Sequence, residues 1–102
     1  MATLLVLYKT PTDAAAFDAH YFGTHVGLAH GIPGLRGYQI SDGAITTPQG
    51  AAPYHLIATL SFDSLEAMQQ ALGSPEGQAT AADLANFAQA GVELLMFDSR
   101  EA

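Results

Sequence analysis

Along this chain the spacing of apolar positions changes repeatedly, and each change marks an expected element. Residues 2–8 carry Leu4, Leu5, Val6, Leu7 and Tyr8 in an unbroken row, which predicts a buried strand. Thr10, Pro11 and Thr12 break it, and Thr12 or Asp13 caps a helix that runs to about His30. Gly31 stands where a helix C-terminal glycine belongs, and Pro33 prevents continuation. Residues 35–44 predict a second strand, 46–53 a loop with Pro48, Gly50 and Pro53, and 54–62 a third strand. Asp63, Ser64, Leu65 and Glu66 have the spacing of a capping box, with Asp63 as the cap of a helix to about Leu72. Ser74 and Pro75 open a further helix to about Ala90, Gly91 closes it, and residues 92–97 predict a fourth strand.

The order is β-α-β-β-α-β, with the second helix broken in two. This is the α+β, ferredoxin-like arrangement, in which helices cover one face of a four-stranded antiparallel sheet. Residues 1–102 are expected to form one domain. In the third strand Leu56, Ala58, Leu60 and Phe62 should meet the helices, while His55, Ile57, Thr59 and Ser61 face the other way. The first and fourth strands are apolar on both faces, as a doubly covered sheet requires. A second copy of the same sheet is the simplest cover. Two sheets meeting this way enclose a pocket lined in part by His55, Thr59 and Ser61.

Composition agrees with that need for a partner. Apolar residues make up 49% of the chain and charged residues only 13%, more apolar surface than a small monomer easily hides. The net charge is −7, and the basic side chains are Lys9, Arg36 and Arg100. Three scattered cations cannot clamp a phosphate backbone or an anionic bilayer, so neither nucleic acid nor membrane is an expected partner. Residues 1–7 are apolar but too short for a signal sequence, and a cytoplasmic location is the default expectation. Without cysteine there is no disulfide, thiolate nucleophile or zinc–sulfur site.

Three blocks carry a resemblance that spans nearly the whole chain. They are Phe17-Asp18-Ala19-His20-Tyr21 with Thr24-His25-Val26, then Ile32-Pro33-Gly34-Leu35-Arg36-Gly37-Tyr38, then Ser74-Pro75-Glu76-Gly77-Gln78 leading to Asp83-Leu84-Ala85-Asn86-Phe87. In these the chain resembles the EthD family of the dimeric α+β barrel superfamily. Gly27 departs from the pattern, since members often have proline two residues after the histidine. The resemblance implies a homodimer with a pocket between sheet and helices. It implies a small organic ligand and a binding or accessory role in bacterial catabolism, of the ether-degradation type. Relatives in the wider superfamily include isomerases, cyclases, dehydratases and cofactor-free monooxygenases, so fold alone leaves the reaction open.

Within the first helix, Phe17, Tyr21, Thr24 and Leu28 form one stripe, and His25, the histidine that matches the family pattern, lies at its edge. Tyr38 leaves the helix exit on the next strand and is placed to face the same cavity. An imidazole that takes a proton and a phenol that donates one suit proton abstraction beside a carbonyl, lactone isomerisation, ring closure or dehydration. His25 and Tyr38 are therefore the candidate catalytic residues, set against a core-edge histidine and a packed tyrosine. Tyr21, His55, Thr59, Ser61 and Arg36 are candidate ligand contacts, Arg36 as a carboxylate clamp.

His20, His25 and His30 are five apart. In a regular helix neighbours in that series point about 140° apart and sit about 7.5 Å apart along the axis. They cannot converge on one metal ion while the helix is regular, and His20 and His30 read as surface or interface residues. No metal or other cofactor is expected. Haem, which related barrels hold through one histidine, finds no second supporting feature here. Gly23, Gly27 and Gly31 recur on one helical face, which suggests close approach of a partner or ligand there, or merely a weak helix end.

Overall fold

The computed structural model describes residues Met1–Ala102. Strand β1 (Ala2–Lys9) buries Ala2, Leu4, Val6 and Tyr8 and leaves the alternate residues half-covered. Asp13 then caps helix α1 (Ala14–His20), its carboxylate accepting from the Ala16 N–H at 3.0 Å. The helix continues without a break through a π turn (Tyr21–His25) into α2 (Val26–His30). After β2 (Gly37–Ile40) a small hairpin forms from β3 (Thr46–Thr47) and β4 (Gly50–Ala51). Then come β5 (Tyr54–Phe62), α3 (Leu65–Gly73), α4 (Pro75–Phe87) and β6 (Val92–Asp98).

The four long strands form one antiparallel sheet in the order β2-β5-β1-β6, with the helices on one face. That is the α+β ferredoxin-like fold. The helix face carries Leu4, Val6 and Tyr8 of β1 beside Leu60, Ala58 and Leu56 of β5. Phe17, Tyr21, Ala29, Met68, Ala71 and Phe87 close over them from the helices. Leu5 and Leu7 pair with Thr59 and Ile57 on the opposite face, which no element of this chain covers. β6 is apolar on both faces as expected, yet Leu94, Leu95, Met96 and Phe97 are all exposed: β6 is a sheet edge, and Leu95 and Phe97 share the uncovered face with Leu5 and Thr3.

Several boundaries differ from the expected ones for local reasons. β2 is shorter than residues 35–44, because Asp42 and Gly43 (φ +81°) turn the chain away just after Ser41 bonds Ile57. The expected loop 46–53 contains the β3–β4 hairpin, with Gly50 at φ +133°. Ser64, not Asp63, caps α3, accepting from Ala67 N–H at 3.0 Å. Ser74 caps α4 with Pro75 in its first turn, as the sequence predicts, and α4 ends at Phe87 rather than Ala90.

Candidate functional site

The first helix brings its chemistry together through an irregularity. Phe17, Tyr21, His25 and Ala29 are all buried, although they are four residues apart each time. In a regular α-helix each step of four overshoots a full turn by about 40°, so such a series drifts off its face. Here the Val26 N–H reaches back five residues to the Tyr21 carbonyl. The wider turn rotates the following residues back and keeps the series on the core. Thr24, expected on the buried stripe, is exposed as a result, and Leu28 is only half-buried.

The same turn aligns His20 with His25, which regular geometry would have pointed apart. Both meet Asp83 of α4. His25 donates its Nδ1–H to Asp83 Oδ2 at 2.9 Å, and His20 donates its Nε2–H to Oδ1 at 2.8 Å. Asn86 Nδ2 also donates to Oδ1, at 2.9 Å. Asp83 sits on the buried face of α4 with Gly77, Thr80 and Phe87. Burial opposes its charge, but the hydrogen bonds from Asn86, His25 and His20 prevail and hold its carboxyl below the usual range.

With Nδ1–H committed to Asp83, the lone pair of His25 is on Nε2. That atom lies 3.4 Å from the Tyr8 hydroxyl, which donates to it in a long, readily replaced hydrogen bond. Burial lowers the His25 pKa below the ordinary imidazole value, outweighing the opposite pull of Asp83. The ring is therefore neutral at pH 7 and able to accept a proton. Tyr21 and Tyr38 share a hydrogen bond of 2.6 Å between their hydroxyls. Burial raises the pKa of Tyr8, Tyr21 and Tyr38, so all three stay protonated as donors.

His25, Tyr8 and Tyr38 line one small pocket of about 60 Å³ between the sheet and the helices. The rest of its wall is apolar apart from Thr80, and no carboxylate, lysine or arginine lines it. The other candidates fall elsewhere. Tyr21 stands behind Tyr38, fully buried. Thr59 and Ser61 lie on the uncovered face of the sheet, so they do not share the pocket with His25. His55 was expected on that uncovered face too. A bulge opposite Tyr8 and Lys9 turns it instead toward α1, where it donates to Asp18 at 2.8 Å and packs on Phe17. Arg36 forms an exposed fork with Asp63 at 3.0 and 3.1 Å and reaches no pocket. Gly23 and Gly27 have open space beside them within the chain, so no element of this chain makes the close approach considered for them.

A family model for the EthD domain matches residues 9–91. The chain belongs to the EthD family. An EthD family protein of known structure from Bacillus halodurans C-125 is 35% identical, with 98% of this chain and 99% of that one covered and a TM-score of 0.90. A curated 11.0 kDa protein of Rhodococcus erythropolis, from the thcB-thcC intergenic region, is 40% identical over 96% of this chain and 94% of its own length. A dimeric ferredoxin-like protein from Thermobifida fusca shares the fold at 18% identity, with 94% and 88% of the two chains covered and a TM-score of 0.68.

Two residues of this candidate site are not among those that the sequence alone singles out. Tyr8 was read as one of a row of strand residues. Asp83 entered only within a family block, although an acid in line with Gly77, Thr80 and Phe87 on a helix is a legible signal. A carboxylate on a buried face needs donors, and histidines elsewhere in the chain are natural ones.

Proposed function

We propose that this EthD protein performs acid–base chemistry on a small, uncharged, largely apolar organic molecule in the pocket of His25. The observation that carries this reading is the Asp83–His25 pair, with the free imidazole nitrogen turned to Tyr8 and the pocket. Asp83 holds the ring in one tautomer and stabilises the imidazolium that forms when Nε2 takes a proton from the substrate. Tyr38, or Tyr8 once displaced from Nε2, donates an O–H to the oxygen on which charge develops. Returning the proton to a different atom completes an isomerisation or primes ring closure or elimination. The absence of a cation from the pocket wall favours lactones and phenols over carboxylates. The protein works as a homodimer that covers the open sheet face, and the dimeric neighbour of the same fold supports that assembly.

The test is a thermal-shift screen of phenols, lactones and small carboxylates, followed by proton exchange of each hit in D₂O, read by NMR. Uncharged hits whose acidic carbon-bound proton exchanges with the native protein, and about 100-fold more slowly with His25→Gln, establish the role. Binding without exchange would leave the accessory, ligand-holding reading in its place.

A further inference from the structure

We infer that His20 is a positioning residue that couples protonation at the protein surface to His25 through their shared carboxylate, Asp83. Its effect on catalysis rests on His25 being the pocket base; the coupling itself does not.

Both imidazoles direct the N–H that sets their tautomer at one carboxylate. His20 Nε2 lies 2.8 Å from Oδ1 and 3.0 Å from Oδ2, and His25 Nδ1 lies 2.9 Å from Oδ2. The two rings differ in access. The His20 side chain is 29% exposed and that of His25 6%. His20 therefore reaches solvent, while His25 meets the pocket. The groups facing His25 are Tyr8 from β1, Tyr21 and His20 from its own helix, and Asp83 from α4, with Tyr38 of β2 hydrogen-bonded to Tyr21 and lining the same pocket. His20 faces Asp83, and the Phe87 ring stacks on it at 5.2 Å. Asn86 contributes only a neutral donor. Asp83 is thus the one negative charge among these groups, and it can balance one imidazolium but not two.

When His20 is neutral, Asp83 is free to stabilise a proton on His25. When solvent protonates His20, Asp83 is already engaged, and a proton on His25 would add an unbalanced positive charge in a buried site.

The test is an ¹⁵N NMR titration of the His25 ring in the native protein, in His20→Gln and in His20→Lys, with His25→Gln used for assignment. Glutamine keeps a donor for Asp83 but cannot charge; lysine is permanently charged. The His25 midpoint should rise by about half a unit or more in the Gln variant and fall by a similar amount in the Lys variant. A merely structural role would move both in the same direction, and that result, or no movement in either, overturns the coupling. If the Lys variant does not fold, the native titration decides. His25 must then show an inflection at the midpoint of the His20 curve, and a single independent step overturns the proposal. Opposite NMR shifts without any substrate exchange by the native protein would uphold the coupling while removing the base role.

Discussion

Asp83 shows what a single buried carboxylate demands of its surroundings. Placed on the inner face of α4, it draws donors from His20, His25 and Asn86. An Asp83→Asn substitution leaves the volume unchanged but lets His25 adopt the other tautomer. Proton exchange on a pocket ligand should fall about 100-fold or more, while circular dichroism shows the fold retained. Stability should depend on pH through the same residues. His25 has a lowered pKa when folded, so the unfolded chain binds the extra proton first as pH drops below about 6.5. Stability is therefore fully present above that pH and declines beneath it. Asp83, also lowered, contributes a second loss as pH falls through the carboxylate range. Thermal melts from pH 8 to pH 3 should show both declines, and His25→Gln should remove the first. At this scale the sequence was partly legible: His25 and Tyr38 stood out as residue types, whereas the partner of His25 lies 58 positions away and only folding brings it near.

The first helix is the element that sequence periodicity read least well. A pattern of Phe17, Tyr21, Thr24 and Leu28 assumes regular turns, and the π turn at Tyr21–His25 replaces it with Phe17, Tyr21, His25 and Ala29. The same assumption separated His20 from His25. Strand β5 failed at one residue for an analogous reason, because the bulge reverses the side on which His55 points. The strands and caps elsewhere followed from local chemistry, as at Ser74 and Pro75. Two glycines separate local from tertiary demands. At Gly27, open space surrounds the missing side chain, so Gly27→Ala should stabilise the protein by about 0.5–1 kcal/mol in chemical denaturation. At Gly77 a methyl group would collide with the backbone of Ala71 and of Leu72, only 2.7 Å away in the latter case. Gly77→Ala should lower stability by about 2 kcal/mol and deform the pocket wall that Gly77 helps form.

At the scale of the whole molecule, the sheet is covered on one face and open on the other. Leu5, Leu7 and Ile57 are half-covered there, and Leu95 and Phe97 are exposed. The excess of apolar residues read from composition thus has an address. In the proposed homodimer this face is the contact, so Leu95→Glu should convert the dimer mass measured by light scattering at micromolar concentration into that of a monomer. No helix is long and apolar enough to cross a membrane. The sheet order also governs how the chain reaches this structure. β1 is central, and its partners are β5 and β6, the latter being the last strand of the sheet to be made. Its apolar row therefore stays unpaired along one side until Val92–Asp98 has emerged. During synthesis that naked strand edge is the segment most open to aggregation, and folding waits on the long-range contact between β1 and β6.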